Sequence, residues 1–281
     1  MELSPNPNNL ESRWSKESLR AENISKKIAE ITPPTEIRGD RALGLHVFYG
    51  DDANADIARH IEWTVFEEHF DNDIVIMRDE YELYDESSVF LTVVDYESAM
   101  PVGVIRIIKP SEKGLKSMND LVDPEGPWFK EGDSLENRFA EIGDDPEHTV
   151  DIGTMAVMPN YRSSHAADGA SAALYSSCVR WSLENGYNRW VTIVDKKIFE
   201  MMQSWGEPFQ QFSDTDWASY LDSPLSLPVH TELYSGLQKI KAFDKKMQLE
   251  HNADINIHGL YTKGKGLESV FVLPDFSSVV E

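Results

Sequence analysis

"TVDIGTMAVMPNYRSSHAADG", residues 149–169, is the stretch on which the reading of this chain turns. Its first ten residues are apolar and β-branched at most positions and predict a central strand. Pro159 cannot donate to a ladder, so the strand must end there. After the proline come an arginine, a series of small residues and a glycine. The segment "HAADGASAALYSSCVRWSLENG", 165–186, then reads as a helix, with Gly186 placed to end it. Two readings of the junction stay open. It is an ordinary strand-to-helix connection, or a loop shaped to hold a pyrophosphate. A helix N-terminus offers free N–H groups and partial positive charge. Ser163, Ser164, Ala166, Ala167 and Gly169 let a ligand approach the backbone, and Arg162 adds a charge-assisted bond.

Outward from this stretch, strand and helix signals alternate. "LGLHVFYG" (43–50) reads as a strand. "ADIARHIEWTVFEEHF" (55–70) carries a helical apolar stripe at Ile57, Ile61, Val65 and Phe66. "SVFLTVVD" (88–95) and "PVGVIRIIK" (101–109) are two β-rich runs joined by "YESAM", a hairpin. "RWVTIVD" (189–195) reads as a buried strand and "KKIFEMMQSWG" (196–206) as a short helix. A helix near 231–250 and a strand at "ESVFVLP" (268–274) close the pattern. Residues 1–40 read as a polar N-terminal arm, with a short helix near Leu19–Ile31. Residues 41–281 read as one domain, with an insertion of little regular structure at 110–149.

Composition narrows the function. The chain has 281 residues, is 41% hydrophobic and carries a net charge of -23, which argues against a nucleic-acid partner. No apolar run approaches the roughly 20 residues of a membrane span. With a polar start and Cys178 as its single cysteine, the expected location is cytoplasmic. Charge is uneven: residues 51–100 hold 15 acids and 2 bases, whereas 159–200 and 236–266 carry a slight basic excess. The acidic segment contains "DEYELYD" (79–85), where Glu80, Glu82 and Asp85 lie beside Tyr84. This is a solvated acidic turn or a carboxylate cluster that binds an amine. His60, His69 and His165 lack metal-site spacing, so no metal is expected. Trp63, Trp181, Trp190 and Trp205 are expected in the core.

Several of these residues resemble known families. Val157, Pro159, Tyr161, Arg162 and Gly169, with the helix after them, are similar to motif A of the GNAT acyltransferases, although His165 stands where the first glycine is usual. Glu80-x-Glu82-x-Tyr84-Asp85 resembles the E-x-D-x-[FY]-D signature of the acyl-homoserine-lactone synthases, which are GNAT-fold enzymes. Gly103 and Arg106 look like that family's G-x-x-R strand, and Val65-Phe66 like its helical V-F pair. The order holds over residues 57–210. Glu62 replaces the family's arginine four residues before the phenylalanine. Asp151-Ile152-Gly153-Thr154 stands at E-[ST]-R and lacks its arginine. Met202 occupies the place of a frequent GNAT tyrosine acid.

The resemblance implies a mixed α/β (α+β) GNAT fold: a central, mostly antiparallel sheet flanked by helices and splayed between its fourth and fifth strands. It implies an N-acyltransferase related to acyl-homoserine-lactone and N-acyl amino acid synthases. The donor would be acyl-CoA or the phosphopantetheine of an acyl carrier protein, with no permanently bound cofactor. The thioester would enter between 150–158 and 189–195, opened by a bulge near Pro159. Val157 N–H would polarise its carbonyl, while Tyr161, Arg162, Ser163, Ser164 and Gly169 hold the phosphate end. Asp151 would act as base; Glu82 and Asp85 would hold the amine. Phe66, Glu80 and Arg106 would meet the acceptor, Arg106 by holding its carboxylate or by orienting the acids. A free amino acid is the expected acceptor, ahead of S-adenosylmethionine. Three rivals stay open: a homoserine-lactone synthase, an acetyl-CoA-dependent N-acetyltransferase and a GNAT-like binding module without turnover.

Overall fold

The computed structural model describes residues 13–31, 42–162, 169–204, 206, 209–253, 255–265, 267 and 271–272. Strands β1 (Leu43–Tyr49), β2 (Ser88–Asp95), β3 (Met100–Ile108) and β4 (Thr149–Val157) pair antiparallel in chain order. β5 (Arg189–Asp195) then pairs parallel with β4. Three further strands lie beyond it: β6 (Gln210–Gln211), β7 (Ala218–Tyr220) and β8 (Ser223–Glu232). β8 is antiparallel to β5, with β6 and β7 along its outer side. β9 (Phe271–Val272) joins β1 in parallel at the opposite edge. The sheet is mixed and mostly antiparallel and is flanked by helices, as expected from the sequence.

Helices cover both faces. On one, α6 (Ala170–Glu184) packs on β2, β3 and β4, backed by α8 (Leu233–His251) and α9 (Ile257–Lys263). The main core lies between them: Leu91, Ile105, Ile107 and Val150 meet Leu174 and Cys178, all buried. α6 ends as expected, with Gly186 in the left-handed region at φ 82°. On the other face lie α1 (Ala21–Glu30) and α2 (Ala55–Phe70), over a second core of Ile57, Ile61, Phe90 and Val104, while α3 (Ile74–Tyr81) packs Ile74, Met77 and Tyr81 with Trp14 and Leu19.

The structure corrects three expectations. The described part of the N-terminal segment is firmly docked, because Trp14, Leu19, Ile24 and Ile28 are all buried. The insertion contains two short helices, α4 (Lys116–Val122) and α5 (Leu135–Glu141), and α4 packs on β4 and β5 through Leu115, Met118 and Leu121. The bulge is not at Pro159. The β3–β4 register shifts between Arg106 and Ile107, leaving Gly153 as the extra residue on β4. A Cβ there would stand 3.0 Å from Ile108 Cδ1, which suits glycine to the position. Pro159 instead opens a short 3-10 turn after the strand.

Candidate active site

β4 and β5 pair only through Thr149↔Arg189, Val150↔Trp190 and Asp151↔Val191. Beyond Asp151, β4 stays with β3 as far as Val157 and β5 stays with β8 as far as Asp195, so the two strands part company. Thr192 Oγ1 donates to Ile152 O at 2.8 Å and closes the apex of the wedge. Half-buried apolar side chains line both strands beyond the apex: Ile152 and Met155 on β4, Ile193 and Val194 on β5. α7 (Lys196–Ser204), which starts directly after β5, adds Ile198 and Phe199. Two facing strand edges without mutual pairing leave backbone donors and acceptors for a ligand. Met158 N donates to Val102 O at 2.9 Å. Antiparallel alternation therefore turns the N–H and C=O of Met155 and Val157 away from β3 and toward β5.

At the apex, Asp151 is fully buried. Ser117 donates to it twice, from its backbone N–H and from Oγ at 2.8 Å, so the carboxyl also caps the first turn of α4. Burial pushes the Asp151 carboxyl up to about 7, against the opposing hydrogen bonds from Ser117. Beside it, Lys116 Nζ contacts Glu80 Oε2 at 2.7 Å, Asp120 Oδ2 at 2.8 Å and Tyr220 Oη at 2.5 Å. Burial opposes the Lys116 charge, but Tyr81, Tyr220, Asp120 and Glu80 hold the ammonium well above the usual lysine range. Tyr220 belongs to the β7–β8 hairpin, which crosses to the α2–α3 junction where Asn72 Nδ2 donates to Leu221 O at 3.1 Å.

A second charged group lies under α2. Arg106 is fully buried and grips Glu62 with Nε at 2.9 Å and Nη2 at 2.6 Å, a bidentate pair. Its Nη1 donates to Asp85 Oδ1 and Ser88 Oγ, each at 3.0 Å. Phe90 and Tyr81 lie 4.5 and 4.8 Å from the guanidinium carbon. Asp85 also meets Arg59 Nε at 3.2 Å and Trp14 Nε1 at 3.2 Å. Thr154 Oγ1 donates to Glu62, so the threonine at the missing arginine's position contacts the glutamate at the other one's. Tyr81 Oη, 3.3 Å from Gly153 O, joins this group to the bulge.

These contacts settle where the expected site residues stand. Asp85 is buried among Arg59, Arg106 and Trp14 and is not open to hold an amine. Arg106 orients acids and has no face left for a ligand carboxylate. Glu82 is exposed on a 3-10 turn (Glu82–Ser87), and Glu80 turns to Lys116. Phe66 is half-buried against Phe70. Tyr161 Oη bonds Asp95, and Arg162 donates to Val157 O at 2.8 Å with Nη2 2.9 Å from His69. Gly169 is the N-cap of α6, while Ser163 and Ser164 lie outside the described residues. Trp181 and Trp190 are core residues, as expected; Trp205 lies outside the described residues. Sequence reasoning missed Ser117, Lys116, Asp120 and Tyr220; the only local hint was Lys116 four residues before Asp120. Among the described residues no cluster of His, Cys, Asp or Glu suits a metal, and no helix is long and apolar enough to cross a membrane.

No family model matches the chain, and no curated protein matches it. Similar solved structures include FeeM, an N-acyl amino acid synthase from uncultured soil microbes, at 13% identity and TM-score 0.49, covering 70% of this chain and 94% of FeeM. BjaI, a CoA-dependent acyl-homoserine lactone synthase, has 14% identity and TM-score 0.42, covering 84% and 97%. LasI, also an acyl-homoserine lactone synthase, has 13% identity and TM-score 0.42, covering 70% and 96%.

Proposed function

We propose that this protein is an N-acyltransferase that moves a fatty acyl group from an acyl thioester to the amine of a small acceptor. The observation that carries the reading is the wedge between β4 and β5. The amides of an extended phosphopantetheine arm, whether of CoA or of a carrier protein, match the unpaired strand edges. The apolar side chains of both strands and α7 suit the acyl chain. Arg162 and the N-terminus of α6 at Gly169 would take the phosphate end, with Arg162 leaving His69 to do so. Val157 N–H, at the Arg162 end of β4, would hold an amide carbonyl of the arm, which leaves the thioester carbonyl at the Asp151 end of the wedge. The amine attacks directly: the C–N bond forms, the C–S bond breaks and the electron pair leaves on sulfur. Of the two protons lost by the ammonium, one passes through Ser117 Oγ to Asp151 and the other neutralises the thiolate, directly or through solvent.

The test is free thiol release from long-chain acyl-CoA and from acyl-carrier-protein thioester, with and without primary amines, and mass spectrometry of the product. The reading expects amine-dependent thiol release and an N-acyl amide. Release that ignores the amine, or none with either donor, would contradict it.

A further inference from the structure

We propose that the acceptor is a cationic amine that carries no carboxylate, an inference that rests on the N-acyltransferase reading above. Every described cation on the sheet face beside Asp151 is already occupied by the chain's own acceptors. Arg106 spends Nε and Nη2 on Glu62 and Nη1 on Asp85 and Ser88, with aromatic rings near its guanidinium. Arg59 is fully buried and ion-paired: Nη1 meets Asp56 at 3.0 Å, Nη2 donates to Gly50 O at 2.6 Å, and Nε lies 3.2 Å from Asp85 without hydrogen-bond geometry. Lys116 has three N–H bonds and three partners, Glu80, Asp120 and Tyr220.

The acids, by contrast, are in surplus. Glu80 and Asp120 share the single charge of Lys116, and Asp151 adds a third carboxyl beside them. The Glu80 and Asp120 side chains remain 34% and 22% exposed, so their charge reaches an incoming ligand. An ammonium gains from that surplus. A carboxylate would surrender hydration and find like charge instead of a partner. Arg162 does not supply one. It sits at Val157 O, six residues along β4 from Asp151, or roughly 20 Å at the usual strand rise. The amine and carboxylate of an α-amino acid share one carbon and cannot span that distance. The acceptors that fit are alkylamines, aryl-ethylamines, amino alcohols and diamines. The transfer is balanced as above, with the same loss of two protons from the ammonium.

The experiment compares acceptors that differ only in the carboxylate: cadaverine with lysine, tyramine with tyrosine, ethanolamine with serine. The donor is octanoyl thioester, presented as CoA and as carrier protein, and thiol release is read as kcat/KM. The carboxylate-free member of each pair is expected to be better by about tenfold or more. Glu80→Gln leaves Lys116 with less compensation and is expected to shrink that ratio several-fold by improving the amino acid. Equal or better rates with the amino acids, or a ratio unmoved by Glu80→Gln, would overturn the inference while leaving acyl transfer standing. No thiol release with any acceptor would overturn the acyl-transfer reading and this inference with it.

Discussion

Asp151 is where physical chemistry and mechanism meet most closely. Its folded carboxyl is raised to about 7 from 3.8, so folding disfavours its charged form. Stability is therefore undisturbed below the ordinary carboxylate range, falls as pH rises through it, and levels off above about 7. Asp151→Asn removes this dependence, and Ser117 Oγ is free to rotate and accept from the new amide. Between about pH 5 and about pH 8 the variant should gain roughly 2–3 kcal/mol relative to wild type, measured by urea unfolding. Its turnover should fall at least about tenfold and lose the rise through neutral pH. A variant with wild-type rate and the same pH limb would remove Asp151 from proton transfer. The importance of this residue was legible from its place in the strand motif. Its partner Ser117 was not, because 34 residues separate them.

Among the elements, the β7–β8 hairpin carries backbone strain at both of its turn residues. Its two-residue turn places Leu221 at φ 45° and Asp222 at φ 61°, a geometry that favours Asn-Gly. Replacing Leu221-Asp222 by Asn-Gly should stabilise the protein by about 1 kcal/mol. The bond from Asn72 survives, since it is made to a main-chain oxygen. Unchanged or lower stability in urea would show that the turn is not strained. β8 itself could not be read from the sequence, because Pro224 and Pro228 break the strand signal. Pro228 is tolerated because it falls between the segments of β8 that β7 and β6 cover. The β2–β3 hairpin, β4, β5 and α6 were legible from their strand and helix patterns, although the β2–β3 turn places Ala99 at φ 51°. On α2 the apolar stripe was legible, but the burial of Arg59 and Glu62 was not. Polar residues read as solvent-facing until Asp85 and Arg106, distant in sequence, supply their partners. The bulge was expected at the visible proline and lies at Gly153.

Across the whole molecule, two packed half-sheets meet at three residue pairs and then diverge. The N-terminal segment places Trp14 on Asp85, and the β7–β8 hairpin reaches Asp120 and Lys116 through Tyr220. Overall acidity masks this arrangement in the sequence, because the acids nearest the wedge are partly buried and partnered. The central claim is that the wedge holds the acyl thioester. The most direct measurement is photo-crosslinking with a diazirine-bearing medium-chain acyl thioester, presented as CoA and as carrier protein, and then peptide mapping. Label is expected on Ile152, Met155, Ile193, Val194, Ile198 or Phe199, and unlabelled thioester should compete it away. Label confined to other surfaces, such as the polar cavity of about 330 Å³ bounded by Lys130, Arg138 and Asp214, would contradict the account.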